Sequence, residues 1–274
     1  MDFSGILICT DLDGTLLNSQ HRISQENLDA IEYFKANGGY FTFITGRMPF
    51  YKSNFPLYEA VKPNAPIGCI NGGGVFDLQA KQYVWTQQLP HKALELVQLV
   101  HDRIPAMGYQ INAFDKVFFC RDDDVMVLFR KTTGLPELSA PLQEIFDPLA
   151  KVIFGIQSEE ELAQLVALLE SHPASGDFDY IRSEKTLYEI LPKGVSKGAV
   201  LPKLAEHLHI DPQKIIAVGD YNNDISMLQQ AGLGIAVANA TEGAKAAANR
   251  ITVSNDQHAI AQIIADLESG AIQL

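Results

Sequence analysis

Six short apolar, β-prone runs sit near the two ends of the chain. They are Ile6–Thr10, Tyr40–Ile44 and Ile67–Ile70 towards the start, and Lys214–Val218, Leu233–Val237 and Ile251–Val253 towards the end. Their hydrophobicity is nearly continuous rather than alternating. A strand with one wet face alternates, so these runs predict strands covered on both faces, as in a parallel sheet flanked by helices. The links carry helical patterns. In "ISQENLDAIEYFKANGG", Ser24 is placed as N-cap and Ile23 and Leu28 as a hydrophobic staple; Leu28, Ile31 and Phe34 form a stripe, and Gly38 lies just past the end. In "NDISMLQQAG", Ile225, Met227, Leu228 and Ala231 are the apolar positions and Gly232 is the stop. Strand, helix and strand joined by short links predict right-handed βαβ units, hence an α/β doubly wound parallel sheet.

Between Trp85 and Tyr188 the texture changes. A helical pattern from His91 to Ile104 is followed by the strand patterns "YQINAF" and "VFFCR", an irregular acidic stretch, the strand pattern "KVIFGIQ" and the helix pattern "SEEELAQLVALLESH". Strands with helices to one side predict an inserted α+β domain. The expected division is core over residues 1–84, insert over 85–188 and core again over 189–274, with crossings near Gln82–Pro90 and Tyr188–Lys193.

Composition narrows the function classes. With 274 residues, 47% of them hydrophobic, the chain can bury a sizeable core without staples. Cys9, Cys69 and Cys120 show no pairing pattern and read as small core residues of a reducing compartment. Acids stand at the start where a secretory signal would carry Lys or Arg, and no apolar run is long enough to span a bilayer. The expectation is therefore a cytoplasmic protein without a membrane partner. A net charge of −12 with no Lys/Arg cluster argues against a nucleic-acid partner. The acidic surface favours solubility and specifies no oligomeric state.

Acids mark the ends of two of the strands. The first run ends in "DLDGT", which could be a simple Asx turn. It is not a calcium loop: counting from Asp11, the sixth position is Leu16 rather than Gly and the twelfth is Arg22 rather than Glu. The second run ends in "FITGR", which places Thr45 and Gly46 where strand meets loop, and the fourth in "VGDYNNDISML". Ligands of open α/β sheets bind outside the carboxyl ends of the strands, so these segments should converge. Two carboxylates 4 Å apart repel by about 4 kcal/mol at an effective dielectric near 20. Asp11, Asp13, Asp220 and Asp224 in one crevice therefore call for a cation, and hard oxygen ligands point to Mg²⁺, which would also let an acidic protein accept a phosphate. In "GVSKGAVLPKL", Lys197 falls at a helix start with Ser196 as its cap; Lys193 competes for the same part from a Pro-Gly loop.

The ordered set "DLDGTLLNS", "FITGR", "INGGGVFD", "GVSKG", "GDYNNDISML" and "AVANATEGAKAAA" resembles the haloacid dehalogenase-like superfamily, and within it the Cof-type branch with an inserted α/β cap. The resemblance covers nearly the whole chain. It implies a Rossmann-like core and a Mg²⁺-dependent phosphatase of small phosphate esters, with sugar phosphates the commonest expectation and phosphorylated cofactors such as flavin mononucleotide or pyridoxal phosphate also open. It makes Asp11 the nucleophile and Asp13 the acid and base. Mg²⁺ would be held by the Asp11 carboxylate, the Asp13 backbone carbonyl and Asp220, with Asp224 acting through water or behind the ligands. Thr45, the Gly46 N–H and Lys197 would hold the phosphoryl oxygens, Asn223 would touch the phosphate or its attacking water, and Arg47 would contact substrate.

The resemblance leaves two other functions open. A phosphomutase would use the same aspartyl-phosphate but need extra cap cations, for which Arg121, Arg130 and Arg182 are present; a non-catalytic phosphometabolite-binding protein would tolerate damage to the reacting pair. Pro202 is expected to kink the helix after Lys197. Asn71 and glycines 72–74 read either as crevice wall or as a plain turn. The run "RDDDVMV" reads as a solvated loop, and Phe114, Phe118 and Phe119 as strand core or pocket lining. The seven histidines show no metal-binding spacing.

Overall fold

The computed structural model describes residues 2–274, which divide into two compact units. The first consists of the chain up to Arg47, Phe55–Thr86 and Ser196–Leu274. Its centre is a five-stranded parallel sheet in the order Arg250–Ile251, Leu233–Ala236, Ile215–Gly219, Leu7–Thr10, Tyr40–Phe43. Alternate residues of each strand enter different cores. Ile8, Phe41, Phe43, Ile216 and Val218 pack with Ile31 and Phe34 of helix Gln25–Ala36 and with Ile260 and Ile263 of helix Ala259–Ser269. On the opposite face, Leu7, Cys9, Ile215 and Ala217 pack with Leu201, Leu204 and Met227. Both faces are covered, which is why the runs carry so few polar positions. Ser24 caps its helix by accepting from Asn27 N–H, and Gly38 takes the left-handed conformation after the last turn.

The register fixes the site. Thr10 lies opposite Val218 on one side and Phe43 on the other, so the chain leaves three adjacent strands at one level, into Asp11, Thr45 and Asp220. The doubly wound core is thus present, but two of the six runs depart from expectation. Ile67–Cys69 meets the parallel sheet only at the Ile44–Gly68 bridge; it opens an antiparallel three-stranded sheet with Gly74–Asp77 and Gln82–Thr86. The glycines at 72–74 permit that reversal. The last run shrinks to the exposed edge pair Arg250–Ile251. Pro202 produces no interior kink, because a 3₁₀ turn covers Lys197–Val200 and the α-helix begins only at Leu201, which puts the proline in its first turn where no N–H is needed.

The second unit consists of Met48–Asn54 and Gln87–Val195. Its antiparallel sheet runs Val117–Arg121, Tyr109–Ala113, Leu149–Gly155, Leu187–Pro192, Phe178–Glu184. Helices Ala93–Arg103 and Glu159–Glu170 cover one face through Leu96, Val97, Val100, Leu165 and Leu169. Helix Asp124–Thr133 sets Met126 against Ile153 and Leu187 of the other. A boundary at residue 188 would cut strand Leu187–Pro192, whose ladder with Phe178–Glu184 continues to Pro192, so this unit extends to Val195. It also gathers Met48–Asn54, which the sequence-based division leaves in the core. Phe118 and Phe119 are buried, Phe118 in the unit's apolar core. No helix among the described residues is long and apolar enough to cross a membrane.

The acidic run is not a solvated loop. Asp123 caps helix Asp124–Thr133, accepting from Met126 N–H at 2.7 Å, and its other oxygen accepts from Gly108 N–H at 2.9 Å. Asp123→Ala is expected to lower unfolding free energy by about 1–2 kcal/mol in a denaturant titration.

Candidate active site

Asp11 continues the first strand by one bond, its N–H donating to Val218 O at 2.9 Å, and it is buried. The chain then turns. Leu17 N–H closes on Leu12 O at 2.8 Å, so Asp13 lies in a turn rather than on an extended strand. Gly14, at φ 82°, lies against Asp220: a Cβ there would come within 2.5 Å of Asp220 Oδ2. Thr15 Oγ1 donates to Asp220 Oδ1 at 2.6 Å. The turn after "DLD" therefore seats a carboxylate from the other end of the chain.

Asp224 closes the 3₁₀ turn Asn222–Asp224 and is fully buried. Its Oδ2 accepts from the N–H groups of Asp220 and Tyr221 at 2.9 and 3.0 Å. Its Oδ1 accepts from Lys197 Nζ at 2.6 Å, and the same ammonium donates to Asp11 Oδ1 at 2.5 Å. Lys197 is 1% exposed, on a turn capped by Ser196 Oγ, which accepts from Ala199 N–H. Lys193, the competing lysine, instead pairs at the surface of the second unit with Asp179, 2.7 Å away.

Carboxylate oxygens of Asp11, Asp220 and Asp224 lie within 4.8 Å of one another. Burial pushes the Asp11 carboxyl well above the usual carboxylate range; Lys197 opposes that shift, and Asp224, Asp220 and Asp13 add to it. Burial also raises Asp220, to about 6, with Asp224 adding to the rise and the Thr15 hydrogen bond and Lys197 opposing it. For Lys197, burial alone would lower the pKa, but the attraction of Asp11 and Asp224 outweighs it and the ammonium form is favoured.

This donor set fits a hard divalent cation. Asp11 and Asp220 offer oxygens that are short of positive charge, whereas both oxygens of Asp224 are taken, so it suits an anchoring part behind the ligands. Asp13 lies outside the cluster. Its carboxylate is gripped by Arg47, Nε to Oδ2 at 3.0 Å and Nη2 to Oδ1 at 2.6 Å. Arg47, expected to contact substrate, is thus committed to Asp13 here.

Thr45 Oγ1 accepts from Arg47 N–H at 3.2 Å. Gly46 lies against the Asn71 amide, and Asn223 Nδ2 donates to Asn71 Oδ1 at 3.1 Å. Apart from Lys193, every residue named from the sequence for this site lies in the first unit. Asn71, open in sequence between crevice wall and plain turn, lies in this wall, and Thr15 is a further neighbour to which the sequence assigns no part although it stands inside "DLDGT".

The site thus gathers three carboxylates and one buried ammonium at the strand ends of a parallel α/β core. Residues 8–264 match the family model of the haloacid dehalogenase-like hydrolases, and the chain belongs to that family. It is 27% identical to a 5-amino-6-(5-phospho-D-ribitylamino)uracil phosphatase of Bacillus subtilis (strain 168), over 96% of this chain and 98% of that one. A putative phosphatase of the same organism is 30% identical over 95% and 97%. Among solved structures, a haloacid dehalogenase-like hydrolase from Bacteroides thetaiotaomicron superposes with a TM-score of 0.82 at 27% identity, covering 96% of this chain and 99% of that one. These relatives place the chain with the family's phosphatases.

A carboxyl raised in the folded state binds more protons there than in the unfolded chain between pH 3.8 and about 6. Its contribution to stability is therefore lost as pH rises through that window. Metal-free Asp220→Asn should consequently melt higher than wild type at pH 7.5, with the advantage disappearing near pH 4.5. A melting difference that does not change with pH would contradict this charge balance.

Proposed function

We propose that the chain is a Mg²⁺-dependent phosphatase that hydrolyses small organic phosphate monoesters, sugar phosphates foremost, through an aspartyl-phosphate. The observation that carries this is the ammonium of Lys197, held at 2.5 Å from Asp11 and 2.6 Å from Asp224 beside Asp220. A bound divalent cation, held by Asp11, Asp220 and the Asp13 carbonyl, supplies the charge that lets a phosphate dianion approach. Lys197 occupies Asp11 Oδ1, which leaves Oδ2 to attack. The new bond joins Oδ2 to phosphorus, the ester P–O bond breaks, and Asp13 gives its proton to the departing alkoxide. Water then attacks phosphorus, Asp13 takes its proton, and the Asp11–phosphorus bond breaks to release phosphate. Thr45, the Gly46 N–H, Lys197 and Asn223 steady the phosphoryl oxygens as charge shifts.

Arg47 donates to both oxygens of the Asp13 carboxylate, so the same side chain that orients Asp13 competes with the leaving group for it. The similarity to a phosphatase named for a phosphorylated ribityl compound favours a polyhydroxylated leaving group. The mutase alternative gains no support: Arg121 is spent on the carbonyls of His101 and Ile104, Arg130 on Asp122 and Arg182 on Glu159. The setting that suits three cysteines held as thiols is the cytoplasm.

Phosphate release from a panel of sugar phosphates, flavin mononucleotide, pyridoxal phosphate and p-nitrophenyl phosphate tests this. Wild type is expected to need Mg²⁺ and to stop with chelator, and Asp11→Asn to lose at least about a thousandfold. Asp13→Asn should lose about 10²–10⁴ on alkyl esters and less on p-nitrophenyl phosphate, whose leaving group needs no proton. Hydrolysis that survives Asp11→Asn would sink the mechanism.

A further inference from the structure

Ile70 and Asn71 are consecutive non-glycine residues at φ 60° and 52°. A β-branched residue enters that region only where its surroundings force it to, and such positions gather at functional sites. The contacts made there show what the conformation secures. Ile70 N–H donates to Arg47 O and Asn71 N–H to Thr45 O, each at 3.1 Å. The Asn71 side chain, 1% exposed, accepts from Asn223 Nδ2 at 3.1 Å. A Cβ on Gly46 would lie 2.9 Å from Asn71 Oδ1, so the amide packs directly on bare backbone. Gly72, at φ 100°, comes so close to the carbonyl of Ser196 that a Cβ would sit 1.9 Å from it, one residue before Lys197. One loop therefore braces all three segments assigned to the phosphoryl group.

We propose that Asn71 is a positioning residue for phosphate binding: its amide fixes the Asn223 side chain and holds the Gly46 backbone where the phosphoryl oxygens are received. This rests on the phosphatase function above. Asparagine tolerates the left-handed backbone, so a purely structural turn would also accept it, but glycine would satisfy that need equally. Asn71→Gly therefore keeps the backbone and removes only the amide.

The test uses the full chain with Mg²⁺, p-nitrophenyl phosphate as substrate and inorganic phosphate as competing product. Asn71→Gly is expected to raise both KM and the phosphate inhibition constant about tenfold, the cost of misplacing a polar contact that Asn223 or the Gly46 N–H makes to a charged ligand, with a smaller fall in kcat. In an Asn223→Ala background the same change should raise them clearly less than tenfold, because only the part of the effect carried by the Gly46 backbone is left. If the glycine variant melts below the assay temperature, wild type and variant are compared at a temperature below the variant's melting point, where the same rise in both constants is expected. Unchanged constants in the folded variant, or equal effects in both backgrounds, overturn the proposal. Wild type that releases no phosphate would take the phosphatase function down with it, whereas an active wild type and an unaffected Asn71→Gly overturn this proposal alone.

Discussion

A lysine ammonium sealed from water between two carboxylates is the contact around which the first unit is arranged. Lys197 touches Asp11, 186 residues away in sequence, and Asp224, 27 residues away. Desolvating any one of these charges alone would cost several kcal/mol. Together they are tolerable only if the geometry holds, and the geometry holds only if the strand ends are level. The ladder that sets Thr10 opposite Val218 is thus as much a part of the site as the side chains. Asp224 extends the same constraint, since its second oxygen ties down the N–H groups of Asp220 and Tyr221 and with them the position of the Asp220 carboxylate.

One positive charge does not balance the cluster. Asp11 and Asp220 remain shifted upward with Lys197 in place, so added positive charge there, a proton or the cation proposed above, is favoured. That preference is a form of preorganisation: folding has already placed carboxylates close together, and a metal with its phosphate can exploit that arrangement. The site sits on strand ends and short capped turns, which move less than long loops.

Much of this was legible because it follows from local chemistry. Acids, a hydroxyl and a glycine at the ends of buried strands mark a crevice whatever the rest of the chain does. What was not legible depends on partners chosen in three dimensions. Nothing in "FITGR" says whether Arg47 faces substrate or Asp13, a partner 34 residues away in the chain. The Ile67–Cys69 run looks like its parallel neighbours because its residues are equally buried, and only the glycines after it betray the antiparallel reversal. Strand Phe178–Glu184 escaped notice because its side chains are mostly half-buried and its polar positions break the apolar signal. Asp123 was hidden in a run of acids, where one cap looks the same as two exposed neighbours.

Asp11 ends the first strand and Asp13 lies in the turn after it, and their surroundings differ in the way the two roles proposed for them would need. Asp11 is buried and held by an ammonium that is itself buried and anchored by Asp224, so its orientation is fixed, as a nucleophile needs. The Asp13 side chain is 38% exposed and held by an arginine that is itself partly exposed, so its contact can be given up and remade. A group that must release a proton and then take one back requires that freedom. Exchanging the environments would leave a mobile nucleophile and an immobile proton carrier, although the sequence of acids would read the same.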